Sequence, residues 1–381
     1  MLGSVARKHL AMLLLALGLC NAQAEPGISP GKIVLGQSVA LSGGTSRSPS
    51  SYQLGAKIYF DALNAAGGVM GRRVELISMD DRFEPDQALA NTRRLILEDK
   101  VFALFGYAGS ATSKISLPLA SQYGVPFFAP RSGNDILRRP HNRMLFTIRA
   151  THKEEFEFLL NQMMMTGQKN IAVFYEDNDY GRRDVAIVAQ KLSDKGGRLL
   201  LAAPVAANSI DVGAASTELI AKQPDAVMLA ATAPSSAALI LAMRRGGYNG
   251  QFYGLSFIGT QALLELLGKE GSGVVISQVV PFPWRASTML VSEYQKAMKN
   301  AASADLNFAS LEGYIAAKIF TEGLRRAGRN LTRARLITAL ESIHSSNYDP
   351  GGMGINFSAA NHHGSQYIDM ITISRTGQFL N

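Results

Sequence analysis

The chain is almost without cysteine. Cys20 is the only one in 381 residues, and it lies close to the N-terminus. No disulfide can form within the chain. Beyond residue 20 there is no thiolate nucleophile, no cysteine metal site and no redox dithiol. Charge is sparse too. Lys and Arg number 38 against 30 Asp and Glu, a net charge of +8. No long basic run gathers that excess. The Arg-Arg pairs at 72–73, 93–94, 138–139, 182–183, 244–245 and 325–326 are spread along the chain. They read as solvated helix ends and loops, which argues against a nucleic-acid partner. A mild positive balance suits a pocket that receives small anions.

Several catalytic signatures are missing. The sequence holds no G-x-x-x-x-G-K-[ST] loop for nucleotide phosphates, no G-x-S-x-G elbow and no H-E-x-x-H metal helix. His362-His363 is the only histidine cluster. Adjacent residues point to different sides on regular structure, so this pair reads as a surface loop rather than a metal site. Asp80, Asp81, Glu84 and Asp86 cluster at a strand end and read as caps for the helix that follows. No catalytic residue, metal or cofactor is expected. Reversible binding is the simplest remaining function.

The N-terminus carries a pattern of its own. Arg7-Lys8-His9 precedes an apolar run from Leu10 to Cys20, and Ala22-Gln23-Ala24 follows. A basic stretch, a short apolar run and an A-x-A site in that order predict a secretory signal cleaved after Ala24. Such a run is too short to span a bilayer, which takes about 20 residues. Cys20 offers a lipoprotein anchor as the lesser reading, because Leu19 stands where those signals carry a small residue. The remainder is expected to work as a periplasmic protein, and no later segment approaches 18 consecutive apolar residues.

From Lys32 onward strands and helices alternate. Short apolar runs such as Ile33–Val39, Val74–Met79, Val101–Phe105 and Val125–Ala129 suit buried parallel strands. Between them, positions such as Tyr52, Leu54, Ile58, Tyr59, Ala62 and Leu63 recur at helical spacing. The rhythm continues through strands near 170–175, 198–205, 226–230, 252–255 and 273–277. Long helices at about 286–301, 309–327 and 332–342 follow. This order predicts an α/β fold with parallel sheets covered on both faces. There are too many units for one compact sheet, so two doubly wound lobes are expected. Thr147–Ala150 and Val279–Pro283 read as crossings between them.

Ligands of open parallel sheets sit beyond the carboxyl ends of the strands. The loops there are small and polar: Leu41-Ser42-Gly43-Gly44-Thr45-Ser46, Gly106 to Ser113 with Ser110 and Ala111, and Ala129-Pro130-Arg131-Ser132-Gly133-Asn134. Amides at helix starts and nearby hydroxyls favour a carboxylate. In the second half, Asp177 to Gly181 ends a strand and offers Tyr180 as an aromatic wall.

Several segments in a fixed order carry a resemblance. They are Asn64–Arg72, Asp80-Asp81, Asn91–Leu95, Val101–Gly106, Gly124-Val125-Pro126, Phe146–Arg149, Tyr180-Gly181 and Ser310–Lys318. From Ile33 to about Phe379 the chain resembles the exported solute-binding proteins of ABC importers, of the leucine/isoleucine/valine-binding type. The resemblance implies two lobes, 27–148 plus 281–353 and 149–280 plus 354–381, joined by three hinge crossings. It implies a monomer that closes on a small amino acid or organic carboxylate and docks on a membrane permease. Ser110, Arg131, Ser132 and Gly133 match the residues that grip the ligand carboxylate. Tyr180 and, less securely aligned, Thr232 match contacts from the second lobe. A sensory domain handing its signal to a separate receptor would use the same cleft.

Two departures bear on the ligand. Ser256 stands where branched-chain amino-acid binders carry the acid that pairs with the ligand ammonium. A buried ammonium without a counter-charge is costly. Arg131 adds a positive charge where that family has a small residue. If it faces the cleft it can form a bidentate pair with a carboxylate. A carboxylate that need not carry an α-ammonium is therefore the expected ligand. Asp177, Asp179 or Glu312 reaching the cleft would restore an ordinary amino acid.

Overall fold

The computed structural model describes residues 25–381. The segment expected to be a signal, with Cys20, lies outside those residues. The first elements are β1 (Lys32–Val39), α1 (Arg47–Ala65), β2 (Arg73–Asp80), α2 (Pro85–Leu97), β3 (Ala103–Phe105), α3 (Ser110–Gln122), β4 (Phe127–Phe128) and β5 (Leu145–Phe146). Their strands form one parallel sheet in the order β2-β1-β3-β4-β5. Leu35 lies opposite Leu76 in its register. Seven of the eight residues of β1 are buried, as expected for a strand covered on both faces.

The chain then crosses into α4 (His152–Met165), β6 (Asn170–Glu176), α5 (Asp179–Asp194), β7 (Arg198–Val205), α6 (Gly213–Lys222), β8 (Ala226–Ala230), α7 (Ala233–Arg245), β9 (Gln251–Gly254), α8 (Thr260–Leu267) and β10 (Val275–Gln278). It returns through α9 (Met289–Asn300), α10 (Phe308–Ala327) and α11 (Arg333–Glu341), which cover the first sheet. It crosses a third time to β11 (Asp369–Ile373) and β12 (Phe379–Leu380). The second sheet runs β12-β11-β10-β9-β8-β6-β7, with β11 antiparallel to β10 and to β12. The fold is thus α/β with two parallel-strand sheets, as the alternation predicts. The strands at 145–146, 369–373 and 379–380 escape sequence reading, the two-residue ones because they are too short to show a period.

Local signals place the helices. Thr151 and Glu154 form a capping box that starts α4. Asn307 and Ser310 do the same for α10. The acidic cluster after β2 does not cap α2, whose N-cap Glu84 makes no side-chain bond. Asp80 instead accepts from the amides of Leu41 and Arg82, and Asp81 from Phe83 and Ser38. These carboxylates tie the loop after β1 to the loop after β2.

The histidine pair is not a surface loop. His362 is 4% exposed and stacks on Phe146 with ring centroids 3.7 Å apart. His363 lies beside Thr147 at the first crossing. Its Nδ1 accepts from Arg138 Nε at 2.8 Å and lies 2.7 Å from Thr147 Oγ1. Arg138 is also buried, against the solvated reading of the Arg-Arg pairs. Tertiary packing of the crossings accounts for both, since segment 361–365 runs alongside Thr147.

One pH dependence follows. Burial, reinforced by the Arg138 charge, pushes the His363 imidazole down to about 3. In the unfolded chain it titrates near 6.5. Between those values the unfolded state binds a proton that the folded state refuses, so stability falls as pH falls. His363→Gln should flatten the decline in melting temperature between pH 7 and pH 4. An unchanged decline would assign the acid sensitivity elsewhere.

Candidate ligand-binding cleft

Strand order reverses at β1/β3 in the first sheet and at β6/β8 in the second. Such switch points open a crevice at the carboxyl ends of the strands. The loops that leave β1, β3, β4, β6, β8 and β9 all reach one cleft, with a cavity of about 140 Å³. Its walls are largely apolar, with Phe83, Ala111, Tyr180, Ala233, Pro234, Phe257, Ile258 and Leu266 among them.

The polar groups of the first wall come from two adjacent loops. Ala108 and Arg131 form a parallel bridge beyond β3 and β4, and the Arg131 amide donates to Tyr107 O at 2.6 Å. This carries the two loops side by side into the cleft. Ser110 Oγ and Ser132 Oγ are 2.7 Å apart. The N-cap of α3 is Gly109, at φ 101°, and no side chain caps that helix. Its first amides therefore keep donor capacity toward the cleft, beside Ser110 and Ala111.

Arg131 also lines the cleft, but its charge is engaged. Nε lies 3.2 Å from Glu312 Oε2, and Nη2 donates to Ser256 O at 3.4 Å. Glu312 Oε1 is 3.6 Å from Arg149 Nε. All three side chains are 7% exposed or less. Burial pushes the Arg131 guanidinium down, Glu312 opposes this, and Arg149 adds to it. Arg138 is pushed down to about 10, mainly by burial. Arg131, Arg149, Glu312 and Glu155 thus form a buried charged cluster beside the cleft. Arg131 Nη1 makes no hydrogen bond among the described residues.

Of the residues singled out from sequence, Ser110, Ala111, Arg131, Ser132, Tyr180 and Thr232 line this one cleft. Ser42, Gly133 and Ser256 do not. Ser42 Oγ donates to Asp80 at 2.5 Å. Gly133 packs against His152, where an added Cβ would come within 2.4 Å of the ring. Ser256 is buried between Arg131, Arg149 and Glu155, its amide donating to Glu155 Oε2 at 2.9 Å and its hydroxyl bonded to Arg149. Asp177 and Asp179 pair with Arg182 on the surface.

The acids and base that do line the cleft were not legible as such. They are Glu176, Asp184 and His152. Glu176 ends β6, and its Oε1 accepts from the Thr232 amide at 3.3 Å. Burial pushes its carboxyl up. Tyr180 is half-buried on the same side, and burial raises its phenol as well. A strand-end position was the only available signal for Glu176. A second groove, of about 930 Å³, lies beside the crossings, lined by Arg138, Arg149, Lys153 and His363 among others. It lacks the converging strand ends, so the smaller cleft is the better site. Among the described residues no group of three potential ligands could hold a metal. No helix among them is long and apolar enough to cross a membrane.

Contacts cross the mouth of the cleft. Arg47 on α1 reaches Glu265 on α8 at 3.0 Å and Asp305, ahead of α10, at 2.7 Å. Asp305 and Glu265 hold its guanidinium well above the usual arginine range. The Arg47–Glu265 pair therefore links the elements of the two sheets at the rim. Arg47→Ala should favour the open arrangement and weaken ligand binding by up to about fivefold, the reach of a part-exposed ion pair worth about 1 kcal/mol or less. The loss should shrink at high salt. Titrations at two ionic strengths check it.

Comparison with known proteins agrees with this fold. The family model described as periplasmic binding protein matches residues 32–378. An amino acid binding protein of Pseudomonas aeruginosa is 23% identical over 224 residues, covering 58% of this chain and 59% of the relative. The chain thus spans about three fifths of that relative's length. The Leu/Ile/Val-binding protein homolog 8 of Brucella abortus is 24% identical over 326 residues, 81% of this chain and 79% of the relative. A possible leucine/isoleucine/valine-binding protein from Rhodopirellula baltica SH 1 superposes with a TM-score of 0.87 at 27% identity. It covers 92% of this chain and 96% of its own.

Proposed function

The chain belongs to the periplasmic binding protein family, and from that premise we propose that it captures a small carboxylate with an apolar body and delivers it to the permease of an ABC importer. Family and fold are those of solute-binding proteins, not enzymes. One observation carries the proposal about the ligand. The donors Ser110, Ser132 and Arg131 gather at one wall of a cavity that is otherwise mostly apolar. A carboxylate fits the donors and a hydrocarbon group fits the rest. The first wall captures the anion, and the loops of the second sheet close over it. Ligand contacts on both walls make closure favourable only when the ligand is present. Export through the N-terminal 24 residues belongs to the same proposal.

The test is a melting screen of the refolded protein, residues 25–381, against amino acids, aliphatic acids and aromatic acids. A ligand at 100 times its Kd adds about 2.7 kcal/mol to stability, an easily seen shift. Stabilisation by a set of apolar carboxylates is the expected result. No response to any carboxylate would sink the proposal.

A further inference from the structure

Phe83 sits in a strained backbone conformation. Its φ is 65°, and that of Arg82 before it is 53°. Eight non-glycine residues have positive φ among the described residues, and these two are the only consecutive pair. Phe83 is also the only one of the eight that lines the ligand-binding cleft. A bulky residue in the left-handed region is a genuine outlier. Such strain persists only where the surroundings over-determine it, and ligand clamps are one such place. Here two carboxylates do so. Arg82 N donates to Asp80 Oδ1 at 3.0 Å, Phe83 N to Asp81 Oδ1 at 2.9 Å and Glu84 N to Asp81 O at 2.8 Å. Asp81 is itself fully buried and accepts from Ser38 Oγ on β1 at 2.8 Å.

The turn carries the side chain past a neighbouring strand. β2 is the edge strand of the first sheet, and β1 stands between it and β3. The Phe83 ring nonetheless reaches the loop after β3. A Cβ added to Gly109 would lie 3.0 Å from its Cζ and 3.1 Å from its Cε2. Gly109 is the N-cap of α3 and directly precedes Ser110. The half-buried ring thus rests its tip on the loop that carries a carboxylate donor, and it borders the cavity there. It is the only aromatic side chain that the loops of the first sheet bring to that cavity. The space left is small, about 140 Å³. A cavity of about 150 Å³ lined by apolar side chains holds one benzene, so a body of about six carbons fills what Phe83 leaves open.

We propose that Phe83 is a specificity-determining residue whose ring limits the size of the ligand's hydrocarbon body, and that the strained turn exists to hold it there. This rests on the carboxylate reading of the same cleft and narrows it. The ligand class is compact apolar acids, and long-chain acids are excluded. Phe83 touches the ligand, whereas Asp80 and Asp81 are positioning residues that act through the turn.

A ligand series of graded size decides it. Calorimetric titration would run through the straight-chain acids from butanoate to decanoate, and from benzoate to 4-phenylbutanoate. In the parent protein affinity should rise with size up to a body of about six carbons and fall beyond it. Phe83→Ala opens a space the size of the ring and should move that limit outward. Each methylene newly accommodated strengthens binding about fourfold. Decanoate should therefore bind the variant roughly 10- to 60-fold tighter than it binds the parent, the effect of two or three methylenes. Phe83→Leu keeps a smaller apolar side chain on the same turn and should move the limit part of the way, which keeps the test usable where the alanine variant folds poorly. Variants that weaken every acid by one factor, with the limit unmoved, would overturn the proposal and leave Phe83 a merely structural role. So would a parent protein that binds decanoate as tightly as hexanoate. If no carboxylate binds either protein, the reading of the cleft fails separately. Naphthalene then tests the ring by itself. It should raise the melting temperature of Phe83→Ala and not that of the parent, and equal responses refute the size limit.

Discussion

Replacing Glu312 by Gln should destabilise the protein by about 3–5 kcal/mol, the cost of leaving a buried charge without its partner. The substitution is nearly isosteric, so packing is conserved and the effect is electrostatic. Glu312 stands between Arg131 at 3.2 Å and Arg149 at 3.6 Å, and all three are almost fully buried. Arg149 Nε and Nη1 already lack hydrogen bonds. Without the carboxylate the two guanidiniums face each other with no anion between them. Ligand binding should respond in the opposite sense. An anionic ligand near Arg131 would then supply the missing charge, so the variant should be stabilised by carboxylates more than the parent protein. Adding Arg131→Met to Glu312→Gln should recover part of the lost stability, because it removes one of the stranded cations. Melting curves of the two variants with and without ligand check this. Equal stability of Glu312→Gln and the parent would mean that the charges are not buried as described.

The second large effect is steric. Gly55 on α1 and Gly313 on α10 lie where the two helices cross. A Cβ on Gly55 would stand 1.8 Å from Ser310 O, and one on Gly313 would stand 1.9 Å from Tyr52 O. The obstructing atoms are backbone, so no rotamer change relieves them. Gly313→Ala should cost at least the upper part of the 1–3 kcal/mol typical of overpacking, despite the higher helix propensity of Ala. The cleft should suffer with it. Glu312 precedes Gly313, and Tyr52 donates to Ala129 O at 2.9 Å, just ahead of Arg131. Forcing the helices apart moves both ends of the Arg131–Glu312 pair. A lowered melting temperature together with weaker carboxylate binding is expected. A variant that melts like the parent would show that the crossing can yield at little cost.

The sequence by itself determined the alternation of elements, and hence the two parallel sheets. A strand buried on both faces must be apolar throughout, and a helix over a sheet must repeat every three to four residues. Both constraints are local, so they are written in the order of residues. The polar strand-end loops were legible for the same reason, since helix starts and tight turns demand small polar residues and glycine. Ser110, Ala111, Arg131, Ser132 and Tyr180 could be picked out on that ground, and Thr232 only through the family resemblance; all six line one cleft. Only the tertiary structure decided how charge is paired there. Arg131 meets a carboxylate 181 positions away, and Asp184 meets a histidine 32 positions away. Buried Arg138 donates to His363 although 225 positions separate them. Nothing local distinguishes such a residue from a solvated one, because the energy of a charge depends on what packs against it, and that partner is brought by the crossing of distant segments.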